Sequence, residues 1–149
     1  MWNYGKKTEY NNCKFDSLKE LTFYQRFCEE YDNPESKFVV KVHPSYDIID
    51  KFEIAPGLIF RSAKFTPDIV ITDYQGNLLH VYDVKNSFTA YGVDAAAKLR
   101  FKLFTKRYGI PVECVVVKKN SFKVKVFGTT KKTEIHEFTN FKYDWKEAL

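Results

Sequence analysis

The chain is poor in the residues that mark most special classes of protein. Its three cysteines, Cys13, Cys28 and Cys114, are odd in number and share no close spacing. That excludes a disulfide framework and a cysteine zinc site, and it suits a reducing, intracellular setting. With 6 Gly and 5 Pro in 149 residues, collagen-like and linker-like stretches are absent, and there is no low-complexity tract or internal repeat. No apolar run approaches the ~20 residues a membrane span needs, and the opening MWNYGKKTEYNN has no apolar signal region. The expectation is a soluble cytoplasmic protein with no membrane contact.

What the sequence does contain is aromatic and basic. It is 44% hydrophobic and 17% aromatic, with 14 Phe and 10 Tyr to fill a core. At this length it fits one domain, residues 1–149, with a basic and aromatic N-terminal arm over 1–14 and a C-terminal extension over 131–149. The balance of 24 Lys+Arg against 19 Asp+Glu, a net +5, suits a polyanionic partner without demanding one.

The segment FDSLKELTFYQRFCEEYDNP predicts a helix with Asp16 or Ser17 as N-cap and Asn33-Pro34 as the stop. On its wheel Leu21, Phe23, Tyr24, Phe27, Cys28 and Tyr31 form one apolar arc, and Glu20 falls in the middle of that arc. KFVVKVHPSYDII reads as extended chain interrupted by Pro44. KFEI, a Pro56-Gly57 turn and LIFRSAKFTPDIVITD follow as further strands. DYQGN is a hairpin turn, and LLHVYDVK is the returning strand. YGVDAAAKLRFKLFTKRYG predicts a second helix ended by Gly109 and Pro111, with Ala97, Phe101, Phe104 and Tyr108 packing. VECVVVKK reads as a buried strand, SFKVKVF as an edge strand with one wet face, and DWKEAL as a short helix. The order implies an α/β (α+β) domain, a mixed central sheet flanked by helices.

VYDVKNS raises the chemical question, because Asp83 and Lys85 sit where a buried strand should still be apolar. Alternation points both to one face, with Leu79 and Val81. If the hairpin is centred between Gln75 and Gly76, Asp73 opposes Leu78 and Asp68 opposes Asp83, so two carboxylates meet at one end. Carboxylates that close repel unless a cation lies between them. Lys85 supplies one positive charge, and hard oxygen donors suit Mg²⁺, with Mn²⁺ an alternative; Glu20 is the natural additional ligand. An isolated Asp-x-Lys is ordinarily a surface ion pair, so the weight falls on the three acids together.

FTPDIVITD followed by LLHVYDVKN resembles the signature of the PD-(D/E)xK nucleases, with Pro67-Asp68 as its first part and Asp83-Val84-Lys85 as its second. Glu20 in DSLKE matches the acid those nucleases often carry upstream. Over about Phe15 to Val117 the chain is similar to small phage-encoded nucleases close to Holliday-junction resolvases. Asn86 replaces a common glycine, and His43 a common glutamine. The resemblance implies a restriction-endonuclease-like core and metal-dependent hydrolysis of DNA phosphodiester bonds. Asp68 and Asp83 would hold Mg²⁺, with Glu20 directly or through water, and Lys85 would position the attacking water or stabilise phosphorane charge.

On the second helix Lys98, Lys102 and Lys106 recur at i, i+4 and i+8 as a basic stripe fit to lie along phosphates. Arg100 flanks it, and Arg61 and Lys64 are further candidate phosphate contacts. Trp2, Tyr4, Lys6, Lys7 and Tyr10 of the arm could stack on bases. His80 is expected in the core or behind the ligands. The leading expectation is a Mg²⁺-dependent endonuclease of branched DNA, a two-fold homodimer without a small-molecule cofactor, working inside the bacterial host cell if phage-encoded. A compact restriction-like or strand-end nuclease is the second reading. The reading from another class is a non-catalytic nucleic-acid-binding or assembly module.

Overall fold

The computed structural model describes residues 8–149; Trp2, Tyr4, Lys6 and Lys7 lie outside the described residues. Residues 8–14 of the expected arm are part of a hairpin. Strands β1 (Thr8–Tyr10) and β2 (Cys13–Phe15) form a hairpin. Its turn is Asn11-Asn12, both at positive φ, a conformation asparagine tolerates and two-residue hairpins require. Tyr10 donates a 2.6 Å hydrogen bond to Glu29 and packs edge-on against Tyr24, so its ring is committed to the fold rather than free to stack on a base.

Helix α1 (Leu18–Phe23) starts at Ser17, whose hydroxyl accepts from the Glu20 amide at 3.2 Å. The helical run continues as a π-helical turn over Tyr24–Cys28 and a 3₁₀ turn over Glu29–Tyr31, ending just before Asn33-Pro34. Its inner face buries the expected arc, including Leu21, Phe23, Tyr24, Phe27 and Cys28.

The remaining strands are β3 (Phe38–Val42), β4 (Tyr46–Ile49), β5 (Phe52–Ala55), β6 (Leu58–Phe60), β7 (Ala63–Phe65), β8 (Ile69–Asp73), β9 (Leu78–Val84), β10 (Val112–Val117), β11 (Phe122–Lys125) and β12 (His136–Phe138). Helix α2 (Ala95–Tyr108) runs between β9 and β10. It is capped by Asp94, which accepts from the Ala97 amide, and closed by Gly109 at φ 75°. Six strands form one mixed sheet in the order β12-β11-β10-β9-β8-β3. Only β9 and β10 pair in parallel in it, which is why a helical crossover separates them. β4 pairs with β7, and β5 pairs with β6, as two small separate sheets. SFKVKVF is therefore not an edge: β12, in the C-terminal extension, covers β11. DWKEAL contains a 3₁₀ turn over Trp145–Ala148, held by a capping box between Asp144 and Glu147.

Alternation in the central strands feeds two cores. Ile69, Ile71, Tyr82 and Val115 pack with α1 on one face; Val70, Val81 and Cys114 pack with Ala97, Phe101 and Phe104 of α2 on the other. Leu79 breaks the pattern. It is an extra residue between Leu78, which opposes Thr72, and His80, which opposes Ile71. It packs on the α1 side, not with Val81 as simple alternation predicts. His80 is fully buried there, 2.6 Å from Glu113 and 2.8 Å from the Tyr143 carbonyl, while the Tyr143 hydroxyl donates to Glu113. Burial pushes the Glu113 carboxyl up. The pair is a satisfied core network well removed in the strand from Asp83.

Candidate active site

Three neighbouring strands end together, and the site lies where they do. The observed pair Val42–Ile69, extended by one residue, sets His43 opposite Asp68, and just before β8 the Asp68 side chain meets that of Asp83 near the end of β9, within hydrogen-bond contact. The His43 amide donates to the Asp68 carbonyl at 3.0 Å, which continues the β3–β8 register past the strand end, whereas the Asp68 amide donates to the Tyr82 carbonyl at 3.1 Å, a local irregularity where β8 begins. On the other side Asp83 pairs with Cys114 of β10, and the Lys85 amide donates to the Val115 carbonyl at 2.8 Å. From above, α1 lowers Glu20, which is only 6% exposed, into the same end of the sheet.

The electrostatics of this end are unbalanced in the way two facing acids require. Asp83 is 6% exposed and bonds Lys85 Nζ at 2.9 Å. Burial works against the charge on Lys85, but the adjacent Asp83 carboxylate overrides it and holds the ammonium above its ordinary range. Asp68 accepts a 2.7 Å hydrogen bond from the Val84 amide, which favours its ionised form. Burial first, then the charges of Asp83 and Glu20, outweigh that bond and push Asp68 up to about 10. At neutral pH its carboxyl keeps a proton until a further cation offsets its neighbours.

His43, which the sequence offered only as a departure from a motif, belongs to the site. Its backbone is left-handed at φ 53°, an uncommon conformation for a side chain of this size and one that concentrates at functional positions. Its Nε2 lies 2.6 Å from Glu20 Oε1, 3.6 Å from Asp16 and 3.8 Å from Asp68. The hydrogen bond to Glu20 raises the affinity of His43 for its proton, burial opposes this, and the charges of Glu20 and Asp16 add to the rise. Among the described residues, Asp16, Glu20 and His43 are the three whose donor atoms all lie within 4.8 Å of one another. The anticipated trio of Asp68, Asp83 and Glu20 converges more loosely, with His43 between Glu20 and Asp68. A sequence signal for His43 did exist: it ends a strand immediately before Pro44, at the residue opposite Asp68.

The basic candidates divide. Lys98, Lys102 and Lys106 are exposed on one side of α2, beginning near Cys114 and the site and running ~12 Å away from it. Lys98 sits 5.1 Å over the Phe127 ring. Lys102 and Lys106 border an apolar groove of about 410 Å³ that includes Phe127 and Trp145. Arg100 is exposed roughly 200° around the helix from Lys98, so it does not extend the stripe. Arg61 and Lys64 are exposed beyond the β5–β6 hairpin, and Lys64 lies 3.8 Å from Asp47.

The class that fold and geometry define is a mixed α+β domain with an acidic cluster, one lysine and one histidine at the end of its central sheet. Residues 2–125 match the family described as "Protein of unknown function (DUF1064)", and the chain belongs to that family. The match spans every acid of the site, His43 and Lys85, and stops at the end of β11. No curated protein and no solved structure matches the chain.

Proposed function

We propose that the protein is a metal-dependent DNA endonuclease of the PD-(D/E)xK type with a restriction-endonuclease-like core, selective for branched DNA and acting as a two-fold dimer inside the cell. One observation carries the reading: the side chains of Asp68 and Asp83 meet where β8 begins and β9 ends, with Asp68 pushed up to about 10 and Lys85 beside them. Such an arrangement costs stability unless a cation relieves it. An all-oxygen donor set fits Mg²⁺ or Mn²⁺, held by Asp68 and Asp83 with Glu20 behind them. When bound, the ion supplies Lewis acidity at the scissile phosphate.

The chain's own groups account for the remaining chemistry. Asp83 fixes the Lys85 ammonium, so its charge is aimed at the site before substrate arrives, where it offsets negative charge developing on the phosphoryl oxygens. His43 holds Glu20 in place through the 2.6 Å bond and keeps that acid's charge partly neutralised near incoming phosphate. The exposed lysines of α2 supply sequence-independent attraction for the backbone. Among the described residues no helix is long and apolar enough to cross a membrane.

The test is incubation with Mg²⁺ and labelled four-way junction, flap, nicked duplex, plain duplex and single strand. Paired symmetric cuts in the junction, lost in Asp83→Ala with DNA binding retained, are expected. Absence of cleavage on every substrate, with binding unchanged in the variant, would leave only a binding module.

A further inference from the structure

The β5–β6 hairpin serves neither core and stands apart from the acidic site. Every residue from Phe52 to Phe60 is exposed, yet the hairpin is among the most apolar stretches of the chain. Phe52 is 46% exposed, Ile54 65%, Leu58 49%, Ile59 51% and Phe60 44%, with Ile49 at its base. The hairpin is nevertheless well built. Phe52 pairs with Phe60 and their rings stack at 5.2 Å, Gly57 turns the tip at φ 78°, and Arg107 of α2 anchors Asp50 at 2.8 Å. A solvated hairpin gains nothing from five large apolar side chains, and two strands alone are marginal in water.

We propose that this hairpin is the surface on which a second copy of the chain docks. The exposed apolar side chains present on the order of 500 Å² per copy over the two faces of the hairpin, so a two-fold pairing removes up to about 1,000 Å² from water, the size at which specific dimers begin. Among the described residues the outer edges of β5 and β6 carry no further strand, so their backbone groups are open to an antiparallel neighbour. The charges are self-complementary. With Asp50 held by Arg107, Lys51 and Glu53 remain, one on each side of Phe52. In an antiparallel two-fold pairing of β5 about Phe52, Lys51 faces the partner's Glu53 and Glu53 faces the partner's Lys51. A hairpin built to enter DNA would carry positive charge along its length, whereas Phe52 to Phe60 holds no Lys or Arg, and Lys51 and Arg61 stand only at its base.

The experiment is sedimentation equilibrium of the full chain without DNA or metal, alongside Ile54→Lys and Phe60→Asp. Both positions are exposed, and circular dichroism verifies that each variant keeps its fold. A wild-type dimer, weakened at least about a hundredfold in each variant, is expected because each substitution enters the interface twice. A wild-type chain still monomeric at about 100 µM overturns the proposal. So does a dimer unchanged in both variants, which puts the interface elsewhere. A monomer whose variants lose affinity for branched DNA also overturns it and makes the hairpin an apolar wedge. Because mass is read without metal or DNA, failure here is distinct from failure to cleave.

Discussion

Asp68→Asn should make the metal-free protein more stable while abolishing the proposed metal-dependent cleavage. The side chain is nearly isosteric, and the amide oxygen can still accept the Val84 N–H at the position of Asp68 Oδ2. What disappears is the penalty of an acid wedged between burial, Asp83 and Glu20. Its folded value of about 10 stands above an ordinary 3.8, so the native state holds a proton that the unfolded chain releases. The contribution of Asp68 to stability is therefore most favourable below pH 4 and declines as pH rises toward 10. At pH 7 the penalty is up to about 4 kcal/mol, at roughly 1.4 kcal/mol per pH unit above the unfolded value. Imperfect fit of the amide reduces the return, and a gain of about 1–3 kcal/mol is expected, a rise in Tm on the order of 3–10 °C. The assay is urea and thermal denaturation in EDTA from pH 5 to 9, repeated with Mg²⁺. Wild type should lose stability with rising pH in EDTA and regain it on adding Mg²⁺, since a ligand of the native state stabilises by mass action. The variant should show a flatter profile and little response to Mg²⁺. A less stable Asp68→Asn in EDTA, or equal stabilisation of both proteins by Mg²⁺, would refute the reasoning.

Two further consequences can be measured on the same protein. His43→Ala leaves the buried Glu20 carboxylate with the Ser17 hydroxyl but without its partner at Oε1, and should cost about 1–3 kcal/mol in EDTA. Because the folded value of His43 is raised, the difference from wild type should be largest below about pH 6.5 and shrink as pH rises through the folded value; urea titrations at pH 6 and pH 9 check it. Replacing Lys98, Lys102 and Lys106 together by alanine should flatten the dependence of log affinity on log salt by up to about 2.7, if all three neutralise duplex phosphates, and leave the turnover of bound substrate intact. An unchanged salt slope would return the stripe to an ordinary solvated helix face.

How much of this was legible beforehand depended on whether a signal was local. The two helices were readable from their wheels, with Ser17 and Gly109 each marking a boundary in one residue, while the start of α2 after Asp94 lies four residues beyond the Tyr91 at which the expected segment began. The small hairpin of β1 and β2 was hidden by polar composition, although Asn11-Asn12 is turn chemistry in plain sight. The edge position assigned to β11 failed for a non-local reason. What covers it is a three-residue strand from the C-terminal extension, too short for periodicity to show. Nothing in the sequence forecast that Phe52 to Phe60 would stand free of both cores, since apolar content is read as burial by default.

The facing of Asp68 and Asp83 is the instructive case, because it was anticipated through an incomplete picture of the hairpin. A two-residue turn centred between Gln75 and Gly76 pairs Asp73 with Leu78, but in the fold Leu78 opposes Thr72, and the Asp73 amide bonds the Asn77 carbonyl at 3.0 Å. That is a one-residue displacement, enough to turn every later side chain to the wrong face. The extra residue Leu79 absorbs it. From His80 onward the pairing returns to the simple count, so Tyr82 meets Ile69, and just beyond that pair the Asp68 and Asp83 side chains come into contact. The bulge thus holds the acids in register: deleting Leu79 should slide Asp83 off Asp68 while leaving the hairpin apolar enough to form. Such a deletion should remove the metal-dependent gain in Tm more completely than it lowers stability in EDTA. An undiminished Mg²⁺ response would mean that the register of this hairpin does not set the cation site.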